Sequence, residues 1–144
     1  MRNDVVAILS LTAAHRLDRA TDEHRLEWTV PCAYAGVPVA FVAQGRAAEG
    51  GQEIRALGRV VNASRRRWRN RRCWHCADVT WLKRPLRQRD LTDHDREALG
   101  KLGGFANYRL QGTGAGIRSE ATWHRLLQAI SRLNPKLRVR DYAR

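Results

Sequence analysis

"IRALGRVVNASRRRWRNRRCWHCADVTWL", residues 54–82, places two β-prone apolar runs on either side of an arginine cluster. In "IRALGRVV", Ile54, Ala56 or Leu57, and Val60 alternate with Arg55 and Arg59, which predicts a strand with a bulge at Gly58. In "ADVTWL", Val79 and Trp81 share one face of a second short strand. Six of the eight residues from Arg65 to Arg72 are arginine; Trp68 interrupts them and Trp74 follows closely. This middle segment reads as a loop. Disordered basic tails are poor in aromatic residues, so indoles set among guanidinium groups point to a folded surface.

Upstream, "VVAILSLTAA" has the apolar character of a signal-peptide core, but Asp4 stands where a positive flank belongs, Ser and Thr interrupt it, and no cleavage pattern follows. A buried first strand over Val5 to Leu9 is the better reading. Residues 13–26 suit a short exposed helix and "EWTVP" an extended stretch. "GVPVAFVAQG" suits a buried strand, and "RAAEGGQE" a loop freed by Gly50 and Gly51. Downstream, Thr92 caps "DHDREALGKL", with Asp95 in place of the Glu of a capping box and Gly103-Gly104 as the stop. Ser119 caps "EATWHRLLQAISRL", whose Trp123, Leu126, Leu127, Ile130 and Leu133 fall on one face, and Asn134-Pro135 ends it. The tail "KLRVRDYAR" alternates as a final strand would. Strands in the middle with helices at the flanks predict one α+β, barrel-like domain over residues 1–144. No stretch is long enough to span a bilayer.

The 27 basic and 14 acidic side chains leave a net charge of +13. Such an excess opposes compaction unless a polyanion shares the surface, and nucleic acid is the expected polyanion. Arg65, Arg66, Arg67, Arg69, Arg71 and Arg72 are the expected phosphate contacts, because six like charges in one segment repel until phosphates relieve them and release counterions. Among the five tryptophans, Trp123 and Trp81 read as core. Trp28, Trp68 and Trp74 lie in polar, irregular stretches and read either as lids on the end of the barrel or as a stacking surface for bases.

Cys32, Cys73 and Cys76 are odd in number and suggest a reducing, cytoplasmic setting, not a disulfide framework. "CWHC" crowds its donors too closely for one tetrahedral site and lacks a second motif, so neither metal nor cofactor is expected. Catalysis has little support: Asp78 and Lys83 lack the intermediate acid of a common nuclease core, and Asp93, His94 and Asp95 suit a helix start. "QGTGAG", residues 111–116, is neither a P-loop nor a dinucleotide fingerprint and reads as a flexible loop beside a ligand or another backbone.

In sequence order, "EWTVP", "VAFVAQG", "IRALGRVV", the arginine–tryptophan segment, "ADVTWLKRPL" and "YRLQGTGAGIRSEATWHRLL" resemble the EVE domain, a PUA-like relative of YTH and ASCH domains. The resemblance implies a PUA-like small β-barrel flanked by helices, with a pocket that accepts one nucleobase. It implies a non-catalytic reader of DNA that flips a modified base, 5-methylcytosine or 5-hydroxymethylcytosine, into an aromatic cage. Trp28 and Trp68 would be cage walls and Trp74 a third, while Thr29 and Ser10 would reach the base edge. Such modules accompany nucleases in restriction systems, so a nuclease partner or fused domain is expected outside this chain. Alternatives are an RNA-binding module acting on tRNA or rRNA, and a hydrolase that would need Asp78 or Glu53 within the pocket.

Overall fold

The arginine segment forms the far end of a long β-hairpin, not a loop. The computed structural model describes residues 5–28, 34–44, 51–68, 70–99 and 114–143, with only the main chain of Thr21, Trp28 and Trp68. Strand β4 runs from Gln52 to Trp68 and β5 from Arg71 to Arg87, paired antiparallel along their length. The strand reading therefore extends straight through the arginines, and Asn70 takes the positive φ of 64° that turns the chain back. Asn tolerates that conformation better than most side chains. Extra residues interrupt the pairing between Ile54/Ala56, Leu57/Arg59, Val60/Asn62 and Ala63/Arg67. A bulge does form at this level, but the extra residue lies on β5, where Asp78 takes a φ of 55°, while Gly58 itself pairs regularly with Val39 of β3. Such bulges twist and bend a ribbon and re-aim its side chains.

The other strands are β1 (Ala7–Leu11), β2 (Arg25–Trp28), β3 (Pro38–Gln44) and β6 (Gly114–Ile117), and the six form one sheet in the order β2-β5-β4-β3-β1-β6. Only β1 and β3 pair in parallel. Both strands are almost wholly buried because apolar layers cover both faces of the sheet. On one face Ile8, Phe41, Ala56, Val60 and Val79 pack with Leu17 and Ala20 of helix α1 (Ala14–Glu23). On the other, Leu9, Val42, Ile54, Leu57 and Leu86 pack with Leu99 of α2 (Asp93–Leu99) and with Trp123, Leu126, Leu127 and Ile130 of α3 (Glu120–Leu133). Each buried Val, Leu, Ile or Phe among them contributes about 1.5–3 kcal/mol through burial.

Both expected caps form. Asp95 N–H donates to Thr92 Oγ1 at 3.0 Å and Thr92 N–H donates to Asp95 Oδ2 at 3.3 Å, closing the box. Thr122 N–H donates to Ser119 Oγ at 3.2 Å. The expected Gly103-Gly104 stop lies outside the described residues. The architecture is α+β as expected, although among the described residues the sheet stays open, with β2 and β6 at its edges.

Three local readings are corrected. The tail folds as a 3-10 helix over Val139–Tyr142 in place of a strand. Buried Tyr142 accepts Trp123 Nε1–H at its carbonyl and donates from its hydroxyl to Asp78 O, both at 2.9 Å, and Arg59 donates to Asp141 O at 2.5 Å. These anchors outweigh an alternating pattern that has no strand beside it. Residues 114–116 of the glycine-rich segment, with Ile117, form edge strand β6, residues 111–113 lie outside the described residues, and a Cβ on Gly114 would lie 2.1 Å from Leu9 O. Another backbone is thus the neighbour of that glycine.

Trp81 is not core: it is 41% exposed, whereas Val79 is fully buried. Strand β2 pairs with β5 only over residues 74–77, so Trp81 lies on an open edge. Asp78, with φ 55°, and three extra residues between Trp81 and Leu86 also break the two-residue alternation.

Two carboxylates tie arginines into this frame. Glu53 accepts Arg55 Nε at 2.6 Å and its cross-strand partner Arg87 Nε at 2.8 Å. Asp95, 1% exposed, bridges Arg132 and Arg125 of α3. Burial works to raise both pKa values, but hydrogen bonds from Arg87 and Arg55 to Glu53, and from Arg132 and Thr92 to Asp95, hold both below the usual carboxylate range. A carboxylate with a depressed folded pKa contributes its full stabilisation above about pH 4 and loses it as pH falls through the folded value. Denaturation monitored by circular dichroism should therefore show stability falling below about pH 4. Asp95→Asn should lower stability at pH 7 by about 2 kcal/mol and flatten that acid limb.

Candidate functional site

Strand β3 accompanies β4 only as far as Arg59, and β2 accompanies β5 only from Trp74 to Ala77. Val60 still exchanges backbone hydrogen bonds with Val37 and Gly36; farther toward the tip, β4 and β5 pair only with each other among the described residues, as a two-stranded arm. Arg65, Arg66 and Arg67 on β4, and Arg71 and Arg72 on β5, are all exposed on it; Arg69 lies outside the described residues. Arg67 and Arg72 occupy directly opposed positions. Like charges placed so are destabilising, and a bound anion would remove the repulsion. Between Ala63 and Arg67, β4 carries two more residues than β5 opposite, which splays this part of the arm.

The root of the arm is held by Glu27 of β2. Ser64 Oγ donates to Glu27 Oε2 at 2.9 Å and accepts Arg66 N–H at 3.1 Å, while His75 Nε2 lies 3.6 Å from the same carboxylate. Arg66 Nη1, 3.8 Å from Glu27 Oε1, is too exposed to contribute much stability. Arg16 of α1 donates to Glu27 O at 2.7 Å. Beside this cluster a cleft of about 450 Å³ opens between α1 and β2, with His15, Arg16, Arg19, Arg25 and His75 on its walls. Glu23 and Glu27 line it as well, and Arg19 lies 3.8 Å from Glu23, so the cleft carries mixed charge. None of these cleft residues stands out in the sequence, because only the β2–β5 register sets Glu27 opposite His75.

The expected base-binding residues separate into groups. Trp28 ends β2 directly opposite Trp74, and both lie at the root of the arm. Trp74 is half-buried against the layer beneath α1, and the Arg72 guanidinium stands over its ring at 6.0 Å. Trp68 ends β4 opposite Arg71, three residues along β5 from Trp74, or roughly 10 Å of strand. Directly opposed residues have Cβ atoms only about 5 Å apart. A sandwiched base needs about 7 Å between ring planes, two van der Waals contacts of ~3.5 Å each. The Trp28 and Trp74 positions are therefore neighbours across the β2–β5 ladder, and the Trp68 position lies farther out. Thr29 lies outside the described residues. Ser10 is sealed inside the sheet, 0% exposed, with its Oγ 3.2 Å from Thr12 Oγ1, and it cannot reach a base from there.

The acids considered for catalysis lie elsewhere. Glu53 is buried and paired with two arginines, and Asp78 is an exposed bulge residue. Cys73 and Cys76 are three apart on a regular part of β5, so they point to opposite faces and cannot share one ion. Among the described residues no group of His, Cys, Asp and Glu is arranged to hold a metal. Burial pushes the Cys76 thiol up to about 12. At pH 8 about one such thiol in ten thousand is ionised, against about a quarter of free cysteines. Iodoacetamide at pH 8 should leave Cys76 unmodified in the folded protein and label it in urea, as read by peptide mass mapping.

Compared with known proteins, the chain matches no family model, no curated protein and no solved structure. Among the described residues, no helix is long and apolar enough to cross a membrane.

Proposed function

We propose that this chain binds nucleic acid, DNA in preference to RNA, by laying the arginine arm against its phosphates. The observation that carries the reading is the projection of five exposed arginines on a two-stranded ribbon, with tryptophan positions at its root and tip. A ribbon of two strands fits the major groove of B-form DNA, which is about 12 Å wide. The deep, narrow major groove of A-form RNA does not admit one, which favours DNA.

The finer reading is that the sheet is the wall of a PUA-like barrel and the target an extruded, modified cytosine, in keeping with the EVE-like order of motifs. Extrusion costs a few kcal/mol, and stacking on an aromatic side chain returns about 1–3 kcal/mol per base. Trp28 and Trp74 would form the platform. The opposing wall would have to come from Trp68, nearer the tip. A 5-methyl or 5-hydroxymethyl group then adds roughly 1 kcal/mol by filling apolar space. A nuclease partner in the cytoplasm remains part of this proposal.

Fluorescence anisotropy with matched 20-base-pair duplexes tests both levels. Replacing Arg65, Arg66 and Arg67 by Ala should weaken binding to every duplex and lower the salt slope by about 2.7, at about 0.9 per phosphate contact. Affinity that does not vary with salt would sink the nucleic-acid reading, and tighter binding to an RNA duplex or tRNA would favour an RNA target. With 5-methylcytosine or 5-hydroxymethylcytosine at one central position, binding should tighten about fivefold, and Trp74→Ala should erase most of that gain. Equal affinity for modified and unmodified duplexes would remove the modified-base proposal and leave the rest standing.

A further inference from the structure

Trp81 exposes 41% of its surface on the open edge of β5. It borders a groove of about 410 Å³ whose other apolar walls are Leu133, Pro135 and Leu137. Lys83, Arg84 and Lys136 rim the groove, and among the described residues no carboxylate pairs with them. An exposed indole beside a concave aliphatic surface is a frequent anchor point for a partner. The groove lies ten residues along β5 from Arg71, roughly 30 Å of strand from the arginine arm, so both surfaces can be occupied at once.

We propose that this groove docks an acidic peptide segment of a partner protein, anchored by one or two large apolar side chains. The three rim cations call for carboxylates around an apolar anchor, and the aliphatic walls suit a leucine or phenylalanine better than a flat base. Beside the groove the backbone of Arg84 is already taken: Asn134 Oδ1 accepts Arg84 N–H and Asn134 Nδ2–H donates to Arg84 O, both at 3.0 Å. Recognition therefore runs through side chains, not through a backbone ladder.

A random 12-residue peptide library displayed on phage, selected on the full chain without nucleic acid, tests this. Acidic peptides carrying Leu, Phe or Trp should be enriched, with recovery at least tenfold lower on Trp81→Ala and on the Lys83→Glu, Lys136→Glu double variant. The second variant keeps the test open should Trp81→Ala fold poorly, because both lysines are exposed. Absence of enrichment, equal recovery on the variants, or enrichment of neutral and basic peptides would overturn the proposal. So would sedimentation showing a wild-type dimer that Trp81→Ala abolishes, which would make the occupant a second copy. Weakened binding of single-stranded oligonucleotide by Trp81→Ala, without peptide enrichment, would instead make the groove a nucleotide subsite. Because the selection omits nucleic acid, its failure leaves the reading of the arginine arm untouched.

Discussion

The pairing of β4 with β5 is the constraint from which the rest of the structure follows. Near the Glu53–Arg87 end the hairpin lies within the sheet, covered on both faces by apolar side chains. Toward Asn70 it has no third strand beside it among the described residues and becomes an arm. One antiparallel register therefore supplies both the middle of the fold and its most basic projection. The extra residues change strands along the way: they lie on β5 within the sheet and on β4 from the root of the arm outward. Each insertion adds twist, so the arm need not continue in the plane of the sheet.

Charge is distributed unevenly around that frame. Glu53 and Asp95 each hold two arginines against the body, and Glu27 anchors the root of the arm through Ser64 and His75. Among the described residues no carboxylate pairs with the opposed Arg67 and Arg72 of the arm. The folded protein tolerates this because the arginines sit in water, where screening limits their repulsion. A polyanion would replace that screening with direct contacts. The exposed Trp81 groove is the apolar counterpart, set well apart along the same strand.

The sequence by itself determined what depends on neighbours a few residues away. The capping box of Thr92 and Asp95, the Ser119 cap, the apolar stripe of α3 and its stop at Asn134-Pro135 all follow from helical spacing and local hydrogen bonds. The buried "PVAFVAQ" strand follows from a continuous apolar run bounded by Gly and Pro. The basic character of residues 65–72 follows from composition alone.

Only the tertiary structure decided what depends on pairing between distant strands. That Trp28 faces Trp74 while Trp68 stands farther out, that Glu27 meets His75, and that Ser10 is shut inside the sheet are all consequences of register, and a shift of one residue exchanges the faces of a strand. The arginine segment reads as a loop because its propensities are poor for a strand; continuing the ladder into the arm outweighs them. Trp81 reads as core because its neighbours are apolar. Its exposure comes from the short reach of β2 and from bulges that no local pattern records.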